Sequence, residues 1–218
     1  MTDVGGLSTS TQDYLKALWS LGEWDAAGVT VTALAERLGV RTSTASDGLR
    51  KLSEQGFVEH APYGAIVLTE QGAAHALAMV RRHRLLETYL ASELGYSWDE
   101  VHDEAESLEH AVSDAFIARI DARLGHPTRD PHGDPIPPAA GELVLPDAVP
   151  LATLAVGTRA VISRISDASP QRLRAFADAG ILPDAVVTLG ADGTLSLGSV
   201  DYVLGEGDTE ALWVIPRS

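Results

Sequence analysis

The sequence contains no cysteine among its 218 residues and only two methionines, Met1 and Met79. Disulfide bonds, thiolate zinc sites and thiol catalysis are therefore excluded, and a metal site must use oxygen and nitrogen ligands. Basic residues are also scarce: 16 Lys and Arg against 31 Asp and Glu give a formal net charge of −15. This charge argues against binding to nucleic acid through diffuse positive potential, but it leaves room for local contacts from a small basic patch.

The sequence has no run of about 18 uninterrupted apolar residues and no charged-then-apolar leader. We therefore expect a soluble cytoplasmic protein with no export signal and no membrane partner. Its length is sufficient for one large domain or two ordinary domains with real cores.

Residues 31–57 predict two short helices joined by a tight turn. The first helix, Thr32–Leu38, is amphipathic, and the second runs from a cap at Thr42 or Ser43 to about Gln55. Two helices in this arrangement form a helix-turn-helix. A plain helical hairpin without a ligand is the alternative.

Short polar and basic side chains open the second of these helices, where they suit base edges in a major groove. The candidate base-contacting residues are Arg41, Thr42, Ser43, Thr44, Ser46 and Asp47. Arg50 and Lys51 lie a turn or more later, where phosphate contact is the better role.

A β-hairpin is predicted next, with strands at 57–60 and 65–69 around the turn Pro62-Tyr63-Gly64. Helix-turn-helix and hairpin together predict a winged helix. An upstream helix, capped by Ser10 or Thr11 and ending at Gly22, carries Asp13 in its first turn. On spacing alone, a helix-dipole role is favoured for this carboxylate.

Imidazole and carboxylate side chains recur at helical spacing in two later clusters. Residues three and four apart share a helix face, and such pairs can close around a divalent cation. The residues in these clusters are His83, Glu87, His102, Glu106, Glu109 and His110. A solvated acidic helix face is the alternative, but two such clusters favour a metal centre.

The first cluster lies on a long predicted helix that begins near Glu70 and runs through Leu90, and the second on a predicted helix at Trp98–Leu124. Apolar positions on the second helix suit packing, including a subunit contact. Arg81, Arg82 and Arg84 flank His83 on the first. We expect these arginines to be either ordinary surface charge or a phosphate-facing patch.

Prolines concentrated in residues 126–150 predict a linker, because proline cannot continue a helix or a central strand. His126 and His132 in this segment are weaker metal candidates. From Leu151 the apolar period shifts toward two and predicts short strands with one helix, at Gln171–Ala179. This pattern indicates an SH3-like β-barrel without a catalytic constellation.

The chain resembles the DtxR family of metal-dependent repressors from Asp13 to its C-terminus. In that family a winged helix, helices with His and Glu ligands and a C-terminal barrel follow one another in the same order. It is most similar to the manganese-sensing MntR-like members of actinobacteria. The most specific matches are Thr11-Gln12-Asp13-Tyr14-Leu15, Arg82-His83-Arg84-Leu85-Leu86-Glu87, Val101-His102-Asp103-Glu104-Ala105-Glu106-Ser107-Leu108-Glu109-His110 and Asp134-Pro135-Ile136-Pro137.

The resemblance implies a mainly α fold with β structure in three parts. Residues 1–72 would form the winged helix-turn-helix DNA-binding domain, and residues 73–140 the helical dimerisation and metal-binding domain. Residues 141–218 would form the SH3-like, FeoA-type barrel after a proline-rich linker.

The resemblance also implies two metal sites. A regulatory site would use Asp13, Glu106, Glu109 and His110, and an ancillary site His83, Glu87 and His102. Iron-sensing relatives carry Met at the position of Asp13 and Cys at that of Glu106. Hard carboxylates in their place suit Mn²⁺, although Fe²⁺ or other divalent metals can substitute.

Two departures from the family pattern limit this carry-over. Lys16 stands where Bacillus-type manganese regulators have a second glutamate, which argues against a tightly coupled two-manganese cluster. Ser169 and Arg172 stand where the barrel of iron-sensing relatives supplies ancillary ligands, and neither is a good ligand. Asp167 or Gln171 is the candidate replacement.

The implied function is a Mn(II)-dependent repressor of metal-uptake genes, not an enzyme, that binds palindromic double-stranded operator DNA as a homodimer. No small-molecule substrate is expected. A Fe(II)-responsive repressor of the same family and a metal-independent winged-helix regulator are the alternatives. A metal-dependent hydrolase would leave the winged helix unexplained.

Overall fold

The computed structural model describes residues 6–24, 28–60 and 65–217 and divides the chain into two compact units. The first unit contains the chain up to His83 with the short segments 112–114 and 137–141. The second contains residues 84–111, 115–136 and the chain from Glu142 onward. The three domain boundaries expected from the sequence stay a prediction.

Three helices and a two-stranded sheet precede the long helix α4 in the first unit. Helices α1, α2 and α3 span Thr9–Trp24, Val31–Arg37 and Thr42–Glu54, and the antiparallel strands β1 and β2 span Val58–His60 and Ile66–Leu68. Helix α4, Glu70–Leu94, continues into the second unit. The predicted helix-turn-helix and hairpin strands are confirmed, while the turn Pro62-Tyr63-Gly64 lies outside the described residues.

The starts of two helices differ from the prediction. Helix α1 begins at Thr9, where the Ser8 hydroxyl accepts a hydrogen bond from the Thr11 backbone N–H at 3.2 Å. Gly22 lies inside α1 and does not end it. In α3 the cap position is occupied by Arg41, which makes no side-chain capping bond. At the start of α1, adjacent hydroxyl residues give the sequence several equivalent caps, so spacing alone could not select Ser8.

Helices α1 and α3 approach closely at Gly48. A Cβ atom at this position would lie 2.2 Å from Cε1 of Tyr14, so only glycine leaves room for the tyrosine ring. The Tyr14 hydroxyl donates a hydrogen bond to the backbone oxygen of Thr44 at 3.1 Å. Burial and the nearby charge of Asp47 raise the Tyr14 pKa above its ordinary value. The start of α3 is thereby tied to α1.

The predicted helix Trp98–Leu124 is two helices, α5 at Val101–Leu108 and α6 at Asp114–Arg123. The intervening residues contain neither glycine nor proline, so the sequence carries no signal for the break. The Arg82 guanidinium donates a hydrogen bond to the Val112 backbone oxygen at 2.7 Å and pairs with Asp114 at the start of α6. This contact with α4 stabilises the break.

The C-terminal part of the second unit is a six-stranded antiparallel sheet in the order β3-β8-β4-β5-β6-β7. Its strands are β3 Val149–Pro150, β4 Arg159–Ile165, β5 Val186–Leu189, β6 Thr194–Leu197, β7 Val200–Val203 and β8 Leu212–Pro216. A short 3₁₀ helix at Leu151–Thr153 and helices α7 at Pro170–Asp178 and α8 at Asp208–Ala211 complete it. Phe176 of α7 is fully buried in the core that the sheet surrounds.

Part of the proline-rich segment is packed rather than exposed, since residues 132–137 are all buried, whereas residues 138–142 are exposed. Two of the arginines beside His83 donate hydrogen bonds to the backbone of residues 132–137. The Arg81 guanidinium donates to the Pro137 oxygen and the Arg84 guanidinium to the Pro135 oxygen, each at 2.7 Å. Arg81, Arg82 and Arg84 are buried. Both roles expected for them, surface charge and phosphate binding, are therefore wrong.

Within the ranges that the structure describes, no helix is both long enough and apolar enough to cross a membrane.

Candidate metal centre

Three potential metal ligands meet in the second unit. Glu87 projects from α4, His102 from the first turn of α5, and Asp167 from the segment two residues beyond the end of β4. One ligand atom from each lies within 4.8 Å of the others. Two carboxylates and an imidazole from three different elements thus converge at one point, which we call the second-unit centre.

The imidazole of His102 lies at the middle of the second-unit centre. Its Nδ1 atom is 3.0 Å from Oδ2 of Asp167 and 3.4 Å from Oε1 of Glu87. On the other side of the ring, Nε2 is 3.6 Å from Oε1 of Glu106, one turn later on α5. Glu106 therefore faces the opposite ring nitrogen from Glu87 and Asp167.

The charges around His102 favour a cation at this point. Burial disfavours the charged ring, but hydrogen bonds that the ring donates to the Asp167 and Glu87 carboxylates outweigh burial and raise the His102 pKa to about 10. The Glu87 carboxylate is only 1% exposed, so it needs a positive partner. In the absence of a metal the imidazolium proton supplies that partner. A divalent cation could replace it, because neutral imidazole nitrogen and carboxylate oxygen are both ligands of divalent metal ions in proteins.

A second group of predicted ligands follows at the end of α5. Glu109 is fully buried and His110 is partly buried. Nε2 of His110 lies 3.4 Å from Oε1 of Glu109. Glu106 lies one turn before both residues.

The other two predicted ligands belong to the first unit. Asp13 lies on α1 and is partly buried, and Lys16 on the same helix is 7% exposed. His83 is a buried residue of α4, one helical turn before Glu87. Helical spacing places His83 and Glu87 on the same face of α4.

The structure distinguishes among the candidate ligands after β4. Asp167 reaches His102, whereas Ser169 caps α7 by accepting a hydrogen bond from the Arg172 backbone N–H at 3.3 Å. The Arg172 guanidinium pairs with Asp208 at 2.9 Å. Gln171 lies in the exposed first turn of α7, with its side-chain oxygen 3.5 Å from the Ser169 hydroxyl. Asp167 is therefore the candidate with the required geometry.

His132 has defined contacts that its position in a proline-rich segment does not predict. This buried side chain places Nδ1 4.0 Å from Oε2 of Glu87, while Nε2 is 2.7 Å from the Trp98 backbone oxygen, to which it donates. Burial opposes charge on this ring, but the carboxylates of Glu87 and Asp130 raise its pKa above the ordinary value. In the sequence, the family motif Asp134-Pro135-Ile136-Pro137, which begins two residues later, is the feature that indicates a defined structure here.

His126, the other histidine of the segment, is not placed for metal binding. Its Nδ1 atom lies 2.9 Å from Oδ2 of Asp121, and the side chain is 74% exposed. Among the described residues, no group of three potential ligands includes it.

The predicted DNA-contacting residues form one exposed surface of α3. The side chains of Arg41, Thr42, Ser43, Thr44, Ser46, Asp47, Arg50 and Lys51 are all exposed. Arg50 forms an ion pair with Glu54 at 2.6 Å on this surface. Ala45, Leu49 and Leu52 point into the core of the first unit, which fixes the outward direction of the polar residues.

Three family models match successive parts of the chain. Residues 6–66 match the iron dependent repressor N-terminal DNA binding domain, and residues 69–138 its metal binding and dimerisation domain. Residues 149–216 match the FeoA domain. The iron-dependent repressor IdeR of Mycobacterium tuberculosis strain H37Rv is 32% identical over 200 residues, covering 84% of each chain.

Solved structures resemble the whole chain. A manganese-dependent transcriptional repressor in complex with manganese is 51% identical, with a TM-score of 0.90 over 95% of this chain and 100% of that one. The manganese regulator SloR is 26% identical, with a TM-score of 0.81 over 97% and 100%.

Proposed function

The chain belongs to the DtxR/IdeR family of metal-dependent repressors, and from this premise we propose that it is a manganese-dependent transcriptional repressor. The family membership rests on matches that span nearly the whole chain. The assignment to manganese is supported by the 51% identity to a manganese-dependent repressor and by a ligand set without sulfur. The matched family is one of transcriptional repressors and not of enzymes.

Its partners are operator DNA and a second copy of the same chain, as the DNA-binding and dimerisation domains imply. In finer detail, the exposed polar face of α3 would enter the major groove of a palindromic operator, one recognition helix for each half-site. Metal-uptake genes are the proposed targets, because a repressor that binds DNA when metal is abundant would limit further import.

We assign the second-unit centre to one metal ion, with Glu87, His102 and Asp167 as ligands. The convergence of these three side chains is the observation that carries the assignment. His83, on the same face of α4 as Glu87, is the fourth proposed ligand. Bound Mn²⁺ would supply a fixed double positive charge that holds these side chains together.

The regulatory set of Asp13, Glu106, Glu109 and His110 is retained on the family resemblance. Within it, burial of Glu109 and the position of Glu106 on the Nε2 side of His102 are consistent with a ligand group separate from the second-unit centre. Asp13 belongs to the helix that packs on the recognition helix through Tyr14 and Gly48.

The proposed mechanism uses this contact between α1 and α3. Holding the Asp13 carboxylate in the regulatory ligand set would restrict the orientation of α1, and therefore of α3. A restricted orientation would match the recognition helices of a dimer to successive major-groove faces. Affinities for metal and for DNA are then coupled reciprocally, by about 1–3 kcal/mol in typical systems.

Fluorescence anisotropy with an operator-like palindrome tests the function. Metal-stripped protein would be titrated with Mn²⁺, with anaerobic Fe²⁺ and with Zn²⁺. We expect tight DNA binding to appear at lower Mn²⁺ than Fe²⁺ concentration. Activation by Fe²⁺ at equal or lower concentration would refute the manganese assignment but keep the repressor, and DNA binding indifferent to every metal would refute both.

A further inference from the structure

The loop Asp130–Pro135, here called the buried loop, carries a carboxylate between two buried arginines. Oδ1 of Asp134 lies 2.8 Å from Nε of Arg164 on β4, and Oδ2 lies 3.7 Å from Nη2 of Arg84 on α4. All three side chains are less than 10% exposed. The Arg164 guanidinium also lies over the Trp213 ring, 5.3 Å from its centroid. Asp134 thus links α4 to β4 through ions that are shielded from water.

Both arginines lie three residues before a ligand of the second-unit centre. Arg84 precedes Glu87 by nearly one turn of α4, and Arg164 precedes Asp167 at the end of β4. The Asp134 link therefore joins the two segments that supply the carboxylates of the centre. Because helix α4 is continuous, Arg84 and Glu87 move together, so the link also constrains where the chain after Arg164 can go.

Backbone contacts strengthen this constraint. The His132 backbone oxygen accepts a hydrogen bond from the Ile165 N–H at 2.9 Å. At Gly133, with φ of +90°, a Cβ atom would lie 2.2 Å from the Ser163 backbone oxygen. The buried loop can approach β4 this closely only with glycine at that position. The end of β4, from which Asp167 emerges, is therefore held against the loop.

The polar groups of the buried loop contact other groups of the loop and its surroundings. Oδ1 of Asp130 accepts hydrogen bonds from the backbone N–H groups of His132 and Asp134 at 2.8 and 3.0 Å. Its Oδ2 lies 3.6 Å from Nε of Arg84, a cation that disfavours a second cation nearby. His132 donates to Trp98 and presents its other nitrogen toward Glu87.

Stability alone is a weak explanation for the Asp134 link. Buried ion pairs gain little net free energy over well-packed apolar residues, since both charges lose their hydration. Once formed, such a pair restricts where its members can lie, because moving the carboxylate away from either guanidinium would leave a buried charge without its counter-ion. A metal centre needs such a support when one of its ligands comes from a separate chain segment.

We propose that Asp134 is a positioning residue for the metal centre: by joining Arg84 to Arg164 it holds Asp167 beside Glu87 and His102 before the cation arrives. This inference rests on the proposed assignment of Glu87, His102 and Asp167 as ligands. In this role Asp134 is not itself a ligand and acts through the position of the chain that follows β4.

The test is a double-mutant cycle on full-length, metal-stripped protein titrated with Mn²⁺ alone. The loss of the free Mn²⁺ signal in electron paramagnetic resonance gives the binding isotherm. Asp167→Ala identifies the step of the isotherm that belongs to the second-unit centre. We expect Asp134→Asn to weaken that step about tenfold. In the Asp167→Ala background the same change should alter Mn²⁺ affinity by about twofold or less.

Asp184→Asn is the matched control. Asp184 pairs with Arg129 at 2.7 Å and so also links the segment before the buried loop to the sheet, but this pair is exposed. We expect Asp184→Asn to leave Mn²⁺ binding unchanged. Arg164→Lys serves as a second variant that keeps the charge opposite Asp134 while losing the guanidinium geometry, and it should weaken the same step.

The outcomes separate the inference from the assignment on which it rests. If Asp167→Ala leaves the isotherm unchanged, the proposed ligand set is wrong. If Asp167→Ala weakens binding but Asp134→Asn and Arg164→Lys do not, only the positioning role is refuted. Equal losses from Asp134→Asn with and without Asp167 would also refute it, since a general effect on folding predicts that result. If Asp134→Asn does not fold, Arg164→Lys takes its place in the cycle. Its effect on Mn²⁺ binding is then compared between the protein with Asp167 and the Asp167→Ala background.

Discussion

Asp167, which follows strand β4 of the C-terminal sheet, places Oδ2 3.0 Å from Nδ1 of His102 on α5, and the two residues share Glu87 as a neighbour. The helical part of the second unit and the segment after β4 therefore contribute to one cluster of potential ligands. With Asp167 as a ligand, as proposed above, the C-terminal part of the chain would take a direct part in metal binding.

Asp167→Ala should reduce Mn²⁺ affinity at the second-unit centre by about tenfold or more, because it removes one of the two carboxylates beside Nδ1 of His102. Isothermal titration calorimetry on metal-stripped protein measures the change. Gln171→Ala is the control, since Gln171 lies on the exposed side of α7 and should not affect binding. Equal losses from both variants would assign the effect to the segment as a whole.

Asp13→Ala should abolish the response of operator binding to Mn²⁺ while leaving the fold of the first unit intact. The reason is the proposed role of this carboxylate in orienting α1, and through Tyr14 the start of α3. Anisotropy with and without Mn²⁺, together with circular dichroism, distinguishes the two effects. Unchanged metal-dependent DNA binding would exclude the mechanism.

Gly48→Ala should destabilise the metal-free protein by about 1–3 kcal/mol, because the new methyl group overlaps the Tyr14 ring. Gly22→Ala is a matched helical control. Its Cβ would meet only Cγ2 of Val29, at 4.0 Å, so it should stabilise α1 by about 0.5–1 kcal/mol. Thermal unfolding followed by circular dichroism measures both. Similar melting temperatures for the two variants would contradict the close contact of α1 and α3.

Lys51→Ala should weaken binding to operator and to unrelated DNA alike and reduce the salt dependence of log affinity by about one unit, as expected for a phosphate contact. Arg159→Ala, which removes an exposed arginine at the start of β4, is the control and should change neither quantity. A loss confined to the operator would instead indicate that Lys51 reads bases.

Much of the fold was predictable because local patterns specify it. The helix-turn-helix, the hairpin strands and the C-terminal strands follow from apolar periodicity and turn residues. The break between α5 and α6 was not predictable, since it depends on the Arg82 guanidinium from another helix and not on a local breaker. The residue that caps α1 was equally unpredictable, because several adjacent hydroxyl residues could serve as its cap.

The candidate metal centre was only partly predictable. Glu87 and His102 follow from helical spacing, whereas the choice of Asp167 over Gln171 depends on how the chain turns after β4. The burial of Arg81, Arg82 and Arg84 could not be deduced, because a charged helix face looks the same in sequence whether water or a proline-rich loop covers it.

Burial of basic residues has a consequence for how the protein searches a chromosome. Five of its 16 Lys and Arg residues, namely Lys16, Arg81, Arg82, Arg84 and Arg164, are withdrawn from the surface. Among the described residues, six acidic side chains are buried as well, namely Glu87, Glu109, Asp121, Asp130, Asp134 and Asp208. The surface therefore keeps a net charge close to the formal −15 and offers phosphate only the Lys and Arg residues that are not buried, including those on α3. Weak retention on random DNA leaves more of the protein free to find its operator, so occupancy can follow the metal supply rather than the amount of DNA in the cell.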